Sequence, residues 1–243
     1  MRVIVGSLLF NAGMYSVSAA MAIIGIPLLL APPRIVLVYA RIWCRFLMWW
    51  LWLTCGTRYA GAGMAAIPSG PVIIAAKHQS AWETFAFNLL FPGCAFVIKR
   101  ELLAIPIVGW LMARAGNVPI DRKAGASALR SVLRDARKVL DAGRPVVIFP
   151  EGTRASIGSA IAYQHGIAAL YSQLKVPVVP VALNSGVFWP RKAFWKKPGL
   201  IEVEAMPAIP PGLGRQEFMD RLRAAIEPAT ERLVRRAEHP PKG

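Results

Sequence analysis

The sequence predicts an α/β body on a mixed, largely parallel sheet flanked by helices, preceded by an N-terminal membrane-associated segment of two helices. Three observations carry this. From residue 60 onward, short apolar, branched runs alternate with helical stretches, the pattern of strands crossing over through helices. Residues 3–33 hold no charged side chain. No acidic residue precedes Glu83, whereas Arg2, Arg34, Arg41, Arg45, Arg58 and Lys77 do.

A chain of 243 residues holds one large domain or two small ones and buries a sizeable core without staples. Its apolar share of 55% and mean hydropathy of +0.44 are high for a soluble protein and low for a polytopic one, which fits a globular body with a membrane-attached part. The net charge of +16, from 29 basic and 13 acidic residues, implies an anionic partner: nucleic acid, an anionic membrane surface or a phosphorylated substrate. The apolar N-terminal third and the lack of a recognised nucleic-acid motif argue against the first. Cys44, Cys55 and Cys94 are too few and odd in number for a disulfide framework, which fits a reducing compartment. His78, His165 and His239 lack metal-ligand spacing, so no catalytic metal site of His or Cys is expected.

In chain order, the first element is the charge-free run "VIVGSLLFNAGMYSVSAAMAIIGIPLLLAPP". It exceeds the roughly 20 apolar residues that span a bilayer core. A signal peptide would carry a shorter apolar region and a small-residue cleavage site. Ser18-Ala19-Ala20 mimics such a site, but the apolar run continues to Leu30. The second element, "IVLVYARIWCRFLMWWLWL" (35–53), places Arg41 and Arg45 on one helix face. Arginine near a bilayer centre costs at least ~2.5 kcal/mol, so an interfacial or partly inserted helix is expected. Trp43, Trp49, Trp50 and Trp52 suit the headgroup level. The alternative is a buried helix whose arginines pair within the protein. Pro27, Pro32 and Pro33 separate the two helices. If the first helix spans, the arginines after it place the body on the cytoplasmic side. The expected division is a membrane-associated helical segment over 1–58 and the main domain over 59–243.

Within the body, Gly61 to Gly70 reads as a linker and "PVIIAA" (71–76) as a buried strand. "SAWETFAFNLLF" (80–91) reads as helix and "CAFVIK" (94–99) as strand. "LLAIPIVGWLMARAG" (102–116) is helical, interrupted by Pro106 and ended by Gly116, and "NVPIDR" (117–122) is a short strand and turn. "GASALRSVLRDARKVLDAG" (125–143) is an amphipathic helix, with Leu129, Val132, Leu133, Ala136, Val139 and Leu140 at helical spacing. "PVVIFP" (145–150) is another buried strand and "IAYQHGIAALYSQL" (161–174) a helix. The prolines of "VPVVPVAL" (176–183) predict a strand at an edge or in irregular pairing. "LIEVEAMPAI" (200–209) alternates with period two, and 215–237 is a charged helix bent at Pro228, before the "HPPKG" tail.

Three stretches can do chemistry. "KHQSAWET" (77–84) follows a strand, and ligand sites in α/β sheets favour the carboxyl ends of strands. On one continuous helix His78 and Glu83 would point about 140° apart. They meet only if the chain turns between them, and Ser80 as N-cap supplies that turn. A carboxylate then fixes the histidine tautomer and strengthens it as a base. Ser80 with Glu83 also reads Ser-x-x-Glu, an ordinary helix-capping pattern, so the residues alone leave both readings open. "FPEGTR" (149–154) makes a sharp turn after a strand, with Glu151, Thr153 and Arg154 projecting; arginine offers a donor fork for phosphate. "IKRELLAIPIVGW" (98–110) ends a strand with Lys99 and Arg100. Each of the last two, taken alone, also reads as a solvated surface feature. "RKAFWKK" (191–197) mixes four cations with Phe194 and Trp195 and suits a headgroup or carrier-protein contact as well as a solvated loop.

Taken in order, with "VPVVPVALNS" (176–185) following, these stretches resemble the 1-acylglycerol-3-phosphate acyltransferase family over about residues 70 to 190. "KHQSAWET" is similar to its His-x4-Asp motif, with Glu83 where the family usually has Asp. "KRELLAIPIVGW…GNVPIDR", "FPEGTR" and "VPVVPVALN" are similar to its next three blocks. The resemblance implies a glycerol-phosphate acyltransferase-like fold and an acyltransferase domain over 59–243. It implies transfer of an acyl chain from acyl carrier protein or coenzyme A to the sn-2 hydroxyl of lysophosphatidic acid, giving phosphatidic acid. His78 is then the general base and Glu83 orients it. Arg154 and Lys99 bind the phosphate, with Arg100, Arg122 and Thr153 as further candidates, and Glu151 and Gly152 shape the acceptor site. No cofactor or metal is implied. The partners are the thioester donor, the lysophospholipid acceptor and membrane lipids, and the place is the inner (cytoplasmic) membrane with the domain facing the cytoplasm. Two rivals stand beside it: an acyltransferase for another lyso-lipid, such as a lyso-ornithine lipid, and a non-catalytic basic protein that binds anionic lipid.

Overall fold

The structure, a computed structural model, describes residues 1–122, 124–159 and 161–239. Of the "HPPKG" tail, only His239 lies within the described residues. Two long helices open the chain, α1 (Arg2–Ile24) and α2 (Pro33–Cys55), joined by a 3-10 turn over Ile26–Leu30. The prolines fall as the sequence predicts: Pro27 and Pro33 occupy the starts of the two segments that follow α1, where a missing N–H costs nothing. Each helix is long and apolar enough to cross a bilayer by length and composition.

The helices also dock on the body. Phe10 of α1 packs edge-on against Trp189 at 5.1 Å. Asn11 Nδ2 donates to the Phe194 carbonyl at 3.1 Å, while the Tyr39 hydroxyl of α2 ties the two helices to each other by donating to the Met21 carbonyl of α1 at 2.5 Å. One face of α2, with Leu47, Met48, Leu51 and Cys55, is buried, while Ile42, Trp49, Trp52 and Leu53 are exposed. Among the described residues neither Arg41 nor Arg45 forms an ion pair.

A seven-stranded sheet follows, ordered β1-β7-β6-β2-β5-β3-β4. Its strands are β1 (Thr57–Ala62), β2 (Ile73–Ala76), β3 (Ala95–Lys99), β4 (Val118–Ile120), β5 (Val146–Ile148), β6 (Val178–Leu183) and β7 (Gly199–Ala205). All neighbours are parallel except β6 with β7. Between them run α3 (Trp82–Leu90), α4 (Val108–Arg114), α5 (Gly125–Asp141), α6 (His165–Leu174), α7 (Ser185–Phe188) and α8 (Arg215–Glu238).

Period two along the buried strands divides the core between two faces. Ile74 and Ala76 face a layer with Leu47, Leu51, Trp82, Phe87 and Ile201. Ile73 and Ala75 face a layer with Val132, Leu140, Leu170, Phe218 and Leu222. Each such large apolar side chain stabilises the fold by about 1.5–3 kcal/mol on burial, so the sheet is held on both sides.

Three expectations change. The stretch read as a linker from Gly61 overlaps β1, which pairs in parallel with β7. Gly63 ends it at φ +72°, where a Cβ would stand 2.0 Å from the Ala205 carbonyl oxygen, so only glycine admits that approach. Of the two placements expected for the proline-bearing β6, the edge is excluded, since it lies between β7 and β2, and irregular pairing holds. It tolerates Pro180 because pairing with the β7 segment is irregular: the register slips between Val181↔Ala205 and the isolated bridge Val178↔Ile209. Finally, α6 starts at His165, not 161, and α3 at Trp82, not Ser80.

Candidate active site

Five adjacent strands deliver the polar side chains. His78 follows β2, Glu151 follows β5, Ser185 follows β6, Lys99 ends β3 and Arg122 follows β4. Because β6, β2, β5, β3 and β4 are neighbours running in parallel, their carboxyl ends open on one side of the sheet.

The chain turns between His78 and Glu83, as their meeting requires. Glu83 is fully buried in the first turn of α3. Its Oε1 accepts the Gln79 N–H at 2.9 Å and the Ser80 N–H at 3.0 Å, and its Oε2 accepts the Ser80 N–H at 3.1 Å. The Ser185 hydroxyl donates to Oε1 at 2.7 Å. Oε2 faces His78 Nδ1 at 3.9 Å, longer than a hydrogen bond. That nitrogen is buried and, among the described residues, has no hydrogen-bond partner. Ser80 stands one residue ahead of the cap position held by Ala81, yet its Oγ accepts the Trp82 N–H at 3.1 Å. Capping and the approach to histidine therefore coexist in one carboxylate.

The other side of His78 is built by the "FPEGTR" turn. The Phe149 ring stacks on the imidazole at 3.9 Å with 14° between planes. The Ala155 N–H donates to the His78 carbonyl at 2.7 Å. Glu151 Oε2 accepts the His78 N–H at 3.0 Å, and Oε1 lies 2.6 Å from Lys77 Nζ. Gly152 holds φ +67° beside Gln164 and Arg122.

An apolar cavity of about 1000 Å³ opens at this point, lined by His78, Phe85, Phe96, Ile98, Leu111 and Phe149 among others. Lys99, Arg122, Gly152, Thr153, Arg154 and Arg191 also reach it. Burial, with the guanidiniums of Arg154, Arg122 and Arg191 adding, pushes His78 down to about 3. Burial pushes Glu83 up to about 7, against the donors that favour its charged form. At neutral pH the imidazole is unprotonated and can accept a proton, inside a positive field fit for an anion.

Two residues expected at the acceptor site are not among those lining the cavity. Glu151 is buried with both oxygens engaged inside the protein, so it faces His78 and Lys77 instead of the cavity. Arg100 is 71% exposed, 3.6 Å from Asp121 and away from the cavity. Sequence reasoning missed Ser185, Gln79 and Arg191. Gln79 Oε1 accepts the Gly186 N–H at 3.0 Å, which ties the histidine loop to α7. A serine closing a strand, two residues beyond its last apolar position, was the readable signal for Ser185. Arg191 was visible only as one cation in a basic loop. In that loop Lys196 is buried, with Nζ donating to Asn11 Oδ1 at 2.7 Å, while Arg191, Lys192 and Lys197 are exposed, the first two at the cavity.

Residues 61–184 match the family described as Acyltransferase. The chain is 40% identical over 167 residues to a 1-acyl-sn-glycerol-3-phosphate acyltransferase of Pseudomonas aeruginosa, covering 69% of this chain and 65% of that protein. It is 32% identical over 145 residues to the human 1-acyl-sn-glycerol-3-phosphate acyltransferase alpha, covering 59% and 51%. The matched region thus spans about half to two thirds of these curated relatives. The fold is that of the crystal structure of the 1-acyl-sn-glycerophosphate (LPA) acyltransferase PlsC from Thermotoga maritima, at TM-score 0.79, 21% identity and coverage of 96% and 98%.

Proposed function

The chain belongs to the acyltransferase family, and from that premise we propose that it moves an acyl chain from an acyl carrier protein or coenzyme A thioester to the sn-2 hydroxyl of lysophosphatidic acid, giving phosphatidic acid. One observation carries this reading: the His78 imidazole, with the buried Glu83 carboxylate behind it, opens on an apolar cavity that the guanidiniums of Arg122, Arg154 and Arg191 also line.

His78 Nε2 takes the proton of the acceptor hydroxyl as its oxygen attacks the thioester carbonyl. The C–O bond forms, the tetrahedral intermediate collapses, and the C–S bond breaks. The departing thiolate recovers the proton from His78. Glu83 holds the Nδ1 proton and offsets the imidazolium charge between the two transfers. No enzyme nucleophile is needed, since the acceptor supplies it. Arg154 and Arg122, with Arg191 and Lys99, bind the acceptor phosphate; forked donors suit its oxygens. The apolar cavity houses an acyl chain, whose burial stabilises binding by about 0.8 kcal/mol per methylene.

The exposed apolar residues of α1 and α2, with Trp110 and Ile105 of the body, rest in the membrane interface. The net charge of +16 favours an anionic cytoplasmic leaflet of the inner membrane. An assay that crosses both thioester donors with several lyso-lipid acceptors tests the proposal. Lysophosphatidate is the preferred acceptor; preference for a lyso-ornithine lipid or another lysophospholipid overturns that choice, and no transfer to any acceptor overturns the enzyme reading.

A further inference from the structure

Lys77, next to His78, is only 5% exposed, although a lone buried ammonium is costly. Two carboxylates resolve the cost. Nζ lies 2.6 Å from Glu151 Oε1 and donates to Glu227 at 2.8 and 2.9 Å. The Tyr163 hydroxyl donates to Glu227 Oε1 at 2.7 Å. Burial pulls the Lys77 ammonium down, but the two carboxylates outweigh it and keep it charged.

Glu227 sits on α8, 150 positions along the chain from Lys77. α8 also reaches the other half of the site: Asn184 Nδ2 donates to the Leu233 carbonyl at 3.2 Å, and the next residue is the Ser185 that holds Glu83. The helix is anchored through Phe218, Leu222, Ile226 and Leu233, all buried. It therefore carries two polar tethers, one from Glu227 toward His78 and one from Leu233 toward Glu83.

We infer that α8 belongs to the catalytic apparatus: Glu227, acting through Lys77 and Glu151, is a positioning residue that fixes the main chain of His78. This rests on the reading of His78 as the base. Stability does not explain the network well, because buried ion pairs often contribute less than an apolar replacement would. Geometry does. Glu151 spends one oxygen on Lys77 and the other on the His78 N–H. Its orientation is set by Lys77, and that of Lys77 by Glu227. The imidazole must meet both Glu83 and the acceptor hydroxyl, and an error of about 1 Å there costs on the order of 100-fold in rate.

The test is E227A, with E227Q as a milder variant that keeps the side-chain length. In full-length enzyme, kcat should fall about 10- to 100-fold for E227A, and less for E227Q, with the acceptor KM within about twofold. The ring signal of His78, one of three histidines, should shift in the NMR spectrum of both variants while the fold melts as one transition. A kcat within twofold of wild type in both variants, or a loss confined to KM, overturns the inference. Should the wild type fail to acylate lysophosphatidate while the His78 signal still shifts, the network stands and the proposed function falls.

Discussion

Glu83 Oε2 stands 3.9 Å from His78 Nδ1, and among the described residues that nitrogen has no hydrogen-bond partner. A glutamine at 83 can keep its oxygen toward Ser185, Gln79 and Ser80, which places its NH2 against Nδ1. It then donates where the carboxylate would accept, and the proton is driven to Nε2, the nitrogen that must be bare. E83Q should lose about 10²- to 10⁴-fold in kcat, while the lost Ser80 contact costs about 0.5–1.5 kcal/mol. Steady-state rates and urea midpoints check both numbers. Near-normal kcat would leave Glu83 as a helix cap only.

Ser185 favours the charged form of Glu83. S185A removes that donor, so Glu83 should move above about 7. The reaction needs Glu83 ionised, so activity rises with pH through its titration. The acid limb of the rate profile should therefore shift to higher pH, with kcat at neutral pH lower by about tenfold. A profile that stays in place would separate Ser185 from the carboxylate.

Arg154 faces the cavity and adds to the positive field that holds His78 down to about 3. R154A should raise the KM for lysophosphatidate about 10- to 100-fold, or about 1.4–2.8 kcal/mol. The same change should move the His78 titration upward, because one repelling charge is gone. R100A should change KM by less than twofold, since Arg100 is exposed and turned toward Asp121.

G152A should strain the turn. At φ +67° a Cβ would sit 3.0 Å from Gln164 Cγ and 3.7 Å from Arg122 Nη2. The left-handed conformation alone costs alanine about 1–2 kcal/mol. A lower urea midpoint together with a raised acceptor KM is expected; an unchanged KM would show that Arg122 is held independently of the turn.

Trp49 and Trp52 are exposed on the face of α2 turned away from the body. Replacing both with serine should lower partition onto anionic phospholipid vesicles by at least about tenfold, with turnover of a short-chain soluble acceptor retained. Unchanged sedimentation with the vesicles would place membrane contact elsewhere.

The legible parts were those with a local physical signature. Runs such as "PVIIAA" and "PVVIFP" announced buried strands, and the helical spacing from Leu129 to Leu140 announced α5. β1 escaped because "TRYAGA" has few apolar side chains and gains its place by pairing with β7, 142 positions away from Thr57 to Gly199. Arg100 and Arg122 look alike in sequence. Only the fold separates them: the Arg100 guanidinium lies 3.6 Å from Asp121, whereas Arg122 lines the cavity.

The sequence by itself determined the α/β body, the apolar N-terminal pair of helices, the excess positive charge and the turn that lets Glu83 approach His78. Each depends on residues near one another in the chain, where periodicity, capping and charge act directly. The tertiary structure alone decided that Ser185 holds Glu83, that Glu151 faces inward, that Arg191 joins Arg122 and Arg154, and that Glu227 completes the cluster around Lys77. Those partners lie from 73 to 150 positions apart where the contacts measure it. They meet because parallel strands bring their carboxyl ends to one side and α8 folds back across them, a placement set by packing of the whole core.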